Sequence, residues 1–248
     1  MACYMKEILK LQYSYLFNKV SAWFLFLMIS IATVGIVYAS GFTSLYGELD
    51  IDRTTRLINY QMESYLLVKF ILVVISIFLS IQGYYSQFTK YHLFFLQKEK
   101  GKVLLGIAKQ TAIMVVLSMM FIHSVIVIHL SGFYLTPYFQ FEIDFFIALI
   151  SLYIEAMILG LIGSISIQII DSIFSGLIPL VLFWVTEANA TYEEINQSSW
   201  LKTLYAIVSN AIIYQNKFVL LYDIIHYGLV FLFLWFLNLL IFIWKDIK

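Results

Sequence analysis

FFIALISLYIEAMILGLIGSISI, residues 145–167, decides the fold. A bilayer core is roughly 30 Å thick, so a helix that crosses it needs about 20 consecutive apolar residues. This stretch supplies them with a single formal charge, Glu155, near its middle. Four further runs of the same kind cover residues 22–40, 65–85, 104–130 and 218–244, and a shorter one covers 173–185. The expected fold class is all-α integral membrane, with six transmembrane helices in one membrane domain over residues 1–248.

Composition agrees. Of the 248 residues, 62% are hydrophobic and 12% are charged, and the mean hydropathy is +0.90. A water-soluble domain carries about twice that share of charge. Formal net charge is zero, which excludes a general electrostatic attraction to nucleic acid. The single cysteine, Cys3, can form neither an internal disulfide nor a metal site. It lies too near Met1, with no apolar run before it, for a signal-peptide lipidation site. The first apolar run follows some twenty polar and aromatic residues rather than a short basic leader, so no cleavable signal is expected.

Ahead of that run, Met5, Ile8, Leu9 and Leu16 share one helical face and Lys6, Lys10 and Ser14 another. This pattern suits an N-terminal helix in the membrane interface. A cytoplasmic extension of the first span fits equally well. Orientation follows from the basic residues of alternate loops. Lys6, Lys10, Lys19, Lys90, Lys98, Lys100, Lys102, Lys109, Lys245 and Lys248 fall on one side. Arg53, Arg56, Lys202 and Lys217 fall on the other, and Lys69 lies inside the second span. Both termini are therefore expected in the cytoplasm and the chain in the plasma membrane, with a composition rich in Ile, Lys, Asn and Tyr that suggests a bacterium. Trp23, Trp184 and Trp244 near span ends fit the interfacial preference of indole. Two glycosylation sequons, at Asn189 and Asn196, are too short to carry weight.

No phosphate-binding GxxxxGK[ST] loop, HExxH or paired CxxC occurs, so neither catalytic residues nor a metal site are expected on this chain. Glu193-Glu194 lacks the arginine that a membrane-protease motif requires three residues on. Glu155 is the most informative residue. A carboxylate at that depth costs several kcal/mol unless it is protonated, paired or facing water. It therefore marks either a translocation path or a structural bond between helices. His123 and His129 lie in the third span, and Asp223 and His226 near the start of the sixth. Pairing between Asp223 and a histidine across helices is one reading. Haem ligation by the two histidines needs facing imidazoles, and 123 and 129 do not share a helix face.

Gly160, Gly163, Ser164 and Ser166 form a small-residue patch suited to close helix packing, within the chain or with a second copy. Pro179 is expected to kink the fifth span. Between spans two and three, Phe88, Tyr91, Phe94 and Phe95 precede Lys98-Glu99-Lys100-Gly101-Lys102. The lysines alone suit an ordinary cytoplasmic loop, whereas the aromatics suggest a docking element running on to Gln110. Beyond span five, Trp200, Leu201, Leu204, Tyr205, Val208 and Ile212 recur at helical spacing, as in an external interfacial or re-entrant helix.

Taken together these features resemble the permease subunit of type-2 ATP-binding-cassette (ABC) exporters. That family has an N-terminal interfacial helix, six spans, both termini inside and short re-entrant helices outside between spans five and six. Its cytoplasmic loop between spans two and three carries a Glu-x-Gly-type turn. Glu99-Lys100-Gly101 is similar, although Lys102 stands where the family usually has Thr. The resemblance implies that Phe94, Phe95, Lys98, Glu99, Lys100, Gly101 and Lys102 dock a separate ATPase subunit. ATP and magnesium would bind on that partner, and this chain would hold no cofactor. It further implies pairing with a second permease copy or paralogue, and export of a hydrophobic or amphipathic cargo such as a peptide, bacteriocin or drug. Two other classes compete. One is an ion-coupled secondary transporter with Glu155, His123 and Asp223 as proton carriers, although the internal repeat common in such proteins is not evident. The other is a membrane accessory or immunity protein that transports nothing.

Overall fold

The structure is a computed structural model that describes residues 2–16, 26–35, 53–85, 101–135, 139, 142–189 and 221–245. It is all-helical, with no strand among the described residues. In chain order the helices are α1 (Ala2–Leu16), α2 (Phe26–Gly35), α3 (Arg53–Tyr84) and α4 (Gly101–Leu135). They are followed by α5 (Ile143–Ile170), α6 (Ile173–Gly176), α7 (Ile178–Asn189) and α8 (Leu221–Trp244). Four stretches, Glu63–Tyr84, Gly101–Tyr134, Phe145–Ile170 and Tyr227–Trp244, are long and apolar enough to cross a bilayer. That is the signature of a multi-pass membrane protein.

Contacts fix the direction of each helix. Lys69 meets Glu155, and further along Ser80 donates to Gly160 O at 2.7 Å, so α3 and α5 run parallel. Gln168 meets Asn238 and Asp171 meets Lys245, so α8 runs the same way as α5. On α4, Ile128 meets Tyr60 while Lys109 lies over Tyr84, so α4 runs opposite. The α6–α7 segment returns along α5, with Pro179 near Gly163 and Phe183 near Lys69.

Several boundaries differ from the sequence reading. α3 begins at Arg53, twelve residues before the expected start of the second span, because Tyr60 and Gln61 are buried against the bundle and Tyr60 OH donates to Ile128 O at 2.7 Å. The fifth span is broken. α5 ends where Asp171 adopts the left-handed conformation (φ 53°) and its N–H bonds Ile167 O. After the short α6 and Leu177, the chain restarts as α7. Pro179 is the second residue of α7, where its missing N–H breaks no helical bond. It starts a helix rather than kinking one. Of the first span, only the ten-residue apolar α2 is described, and the expected re-entrant helix at 200–212 lies outside the described residues.

The N-terminal helix packs chiefly on α4. Its Ile8, Gln12 and Leu16 are buried, and Tyr13 OH lies 3.3 Å from Met119 Sδ. Met119 is eighteen residues into α4, roughly 27 Å at 1.5 Å per residue.

The α3–α5 seam is the centre of the core. An added Cβ at Gly160 would stand 3.3 Å from Ser76 Cβ, Ser76 O and Ser80 Oγ. At Gly163 it would meet Gly176 O at 3.3 Å and Pro179 Cγ at 3.4 Å. The small-residue patch is thus used inside the chain, letting α3 and α6–α7 approach α5 closely.

Candidate functional site

Among the buried polar residues described, two sets link several helices. The first is an ion pair. Lys69 Nζ of α3 lies 3.6 Å from Glu155 Oε1 of α5, each side chain 1% exposed. The Phe183 ring of α7 lies nearby, 5.6 Å from Lys69 Nζ to its centroid. Leu72 and Val73, about one turn on from Lys69 in α3, and Leu152, Ala156 and Leu159, within about one turn of Glu155 in α5, are fully buried. A charge placed in so apolar a setting persists only when it is paired. Glu155 is therefore a helix-bridging carboxylate, and Lys69 is the partner that sequence reasoning left without a role.

The second set gathers where α3, α5 and α8 end and α4 begins. Gln168 Nε2 of α5 donates to Asn238 Oδ1 of α8. Asn238 Nδ2 in turn donates to Tyr84 OH of α3 at 3.1 Å. Gln110 Nε2 of α4 donates to Trp235 O at 3.1 Å. Lys109 is 2% exposed, its Nζ 5.2 Å from the Tyr84 ring centroid and 5.1 Å from that of Phe242. Aromatic faces carry partial negative charge, so two rings partly replace the water that this ammonium has lost. Gly106 lets α8 approach, since a Cβ there would lie 2.8 Å from Leu239 and Phe242.

Glu155 and His123 have different neighbours in the structure, Glu155 meeting Lys69 of α3 and His123 meeting α2. His123 faces α2, with Nε2 3.3 Å from Ser30 Oγ and 3.2 Å from Phe26 O, and its ring meets Phe26 edge-on at 4.6 Å. His129 instead bonds Val125 O at 2.8 Å and packs beside Phe139 and Phe145. The two imidazoles thus serve different neighbours, and no group of three or more His, Cys, Asp or Glu suited to a metal occurs among the described residues. Asp223 lies in the first turn of α8.

The expected docking residues Phe94, Phe95, Lys98, Glu99 and Lys100 lie outside the described residues. Gly101 opens α4 and is buried, and Lys102 is half-buried. Lys109 and Gln110, read from sequence as the far end of the docking element, belong instead to the bundle interior. A lysine one to two turns inside an apolar helix reads like the last lysine of a loop until its tertiary neighbours are known. Asn238 was missed because it stands alone in a Leu- and Phe-rich run, and its partners come from two other helices.

No family model, curated protein or solved structure matches this chain.

Proposed function

We propose that this chain is the membrane-spanning subunit of an ABC-type exporter, moving a hydrophobic or amphipathic cargo with ATP hydrolysed by a separate subunit. It sits in a plasma membrane with both termini in the cytoplasm and supplies no catalytic residue. ATP and magnesium belong to the ATPase, and a second permease copy or paralogue completes the path.

One observation carries the reading. The lysine-rich connection 86–100 joins α3 to α4 at the end of the bundle where α8 also finishes. There the first turns of α4 are locked to both neighbours, Lys109 against Tyr84 and Phe242, and Gly106 against Leu239 and Phe242. A load applied at Gly101 and Lys102 is therefore transmitted to α3 and α8 through packed side chains rather than lost in a loop. α3 carries it on to α5 through the Lys69–Glu155 pair. ATP affinity and helix arrangement then become two readouts of one equilibrium.

The test is purification of the tagged chain in mild detergent from its host membranes, wild type beside a Lys98→Glu/Lys102→Glu variant. Wild type is expected to retain a vanadate-sensitive ATPase, and the variant to lose it. The buried ion pair favours a second reading, ion-coupled transport. A wild-type preparation without ATPase activity that moves solute in vesicles on an ion gradient alone overturns the first reading and supports the second.

A further inference from the structure

Lys109 is 2% exposed, yet among the described residues no carboxylate or hydrogen-bond acceptor meets its Nζ. Its neighbours are the ring faces of Tyr84 and Phe242, at 5.2 and 5.1 Å. Ring faces offset part of the lost hydration, but they leave the three N–H donors of an ammonium without acceptors. Lys69, equally buried, has Glu155. Lys109 has no such counter-charge among the described residues, and a buried ammonium calls for one.

Its position shows where a counter-charge can come from. Tyr84 is the last residue of α3, and Phe242 lies two residues before the end of α8. The ammonium therefore sits just inside one end of the bundle. Side chains on a helix tilt toward its N-terminus, and a lysine stem extends that reach, here toward the start of α4. Lys102 lies on the same face of α4, seven residues or about 10 Å nearer that end, and is half-buried. The first N–H groups of α4 place the positive end of its dipole there. On α3, α4, α5 and α8, the charges described at this end are Lys102, Lys109, Lys245 and Asp171. Asp171 is engaged by Lys245, which leaves Lys102 and Lys109 in excess. The outside of the same rim is apolar. Trp244 is 83% exposed and Phe174 81%, with Ile169 and Ile170 exposed beside them. Lipid thus borders the bundle up to the level of Lys245, and the head groups of that leaflet lie beside these lysines.

We propose that this end of the bundle binds the phosphate of an anionic phospholipid, held by Lys102 at the rim and by the Lys109 ammonium beneath it. A zwitterionic lipid carries the same phosphate, but its own ammonium competes for it. Because Lys109 lies between α3 and α8, a bound head group ties the start of α4 to both. The inference goes beyond the exporter reading and needs no ATPase.

The test uses the purified chain in neutral detergent without nucleotide. Thermal unfolding is followed by circular dichroism in mixed micelles containing phosphatidylglycerol or phosphatidylcholine at equal mole fraction. Phosphatidylglycerol is expected to raise the midpoint by on the order of 5 °C relative to phosphatidylcholine. Lys109→Met, an apolar replacement, is expected to lose most of that difference. Lys102→Gln, at the rim, is expected to lose part of it, and decides the matter should Lys109→Met not fold. Lys6→Gln, which alters an exposed lysine of α1, is expected to keep it. Equal midpoints in the two lipids overturn the proposal. So does a difference that survives in both Lys102→Gln and Lys109→Met, or one lost equally in Lys6→Gln, which marks a general attraction between surface charge and lipid. Soluble glycerol phosphate that reproduces the whole shift without lipid also overturns it, by making the ligand a free phosphate ester.

Discussion

Among the described residues, two lysine–carboxylate pairs tie α5 or its terminus to another helix, and they differ in almost everything but charge. Lys69–Glu155 is 3.6 Å long, lies mid-bundle and is 1% exposed on both sides. Lys245–Asp171 spans 4.0 Å at the end of α5 and α8, its partners 35% and 45% exposed. Coulomb attraction at these distances is several-fold stronger in a protein interior than in water. The cost of removing each charge from water rises faster still. The inner pair is therefore a commitment, since neither charge has water to fall back on and each relies on partners inside the protein. The outer pair is an option, since water solvates either group alone.

The sharpest way to break this comparison is to remove one inner partner. Lys69→Met or Glu155→Leu alone is expected to destabilise the fold by about 3–5 kcal/mol, because an uncompensated charge stays buried. The double variant is expected to recover most of that loss, since an apolar pair of similar volume suits this seam. Thermal unfolding in detergent, followed by circular dichroism, gives the double-mutant cycle. Additive losses would show that the two side chains do not depend on each other.

The pair also measures how far the sequence could be read. Glu155 announced itself, being a lone carboxylate in the middle of residues 145–167. Lys69 did not, because hydropathy placed the second span at Tyr65 and left the lysine just inside its edge. The helix begins at Arg53, so Lys69 stands sixteen residues in and Glu155 twelve residues into α5. Matched depth was concealed by the polar start of α3, whose Tyr60 is buried and bonds Ile128 O of α4. The all-helical, multi-pass character was legible because bilayer thickness imposes it directly on residue runs. The Tyr84–Asn238–Gln168 chain was not, since each member looks unremarkable until three helices converge.

A second test sharpens why the inner pair can form at all. Gly160 brings α5 close enough to α3 for Ser80 to bond its carbonyl at 2.7 Å. Gly160→Ala places a methyl 3.3 Å from Ser76 O, a backbone atom that cannot rotate away. The expected loss is about 1–3 kcal/mol. Gly228→Ala, with nothing within 4 Å of the new Cβ, is the control. It is expected to be neutral or stabilising by up to about 1 kcal/mol from helix propensity. Equal effects at the two glycines would mean that the α3–α5 approach is not tight.

The smallest effect is expected at the outer pair, where two terms oppose each other. Asp171 holds a left-handed backbone (φ 53°, ψ 44°) to end α5, a conformation that glycine adopts without a Cβ penalty. Asp171→Gly removes that strain and also removes the ion pair with Lys245, which at such exposure contributes about 0–1 kcal/mol. The net change is expected within about 0.5 kcal/mol of zero. Lys245→Ala, which loses the ion pair but keeps the strain, is expected to be slightly destabilising. The difference between the two variants isolates the backbone term. A loss in Lys245→Ala comparable to that of Lys69→Met would erase the distinction between the pairs, because it would show that exposure does not decide what a lysine–carboxylate contact contributes in this bundle.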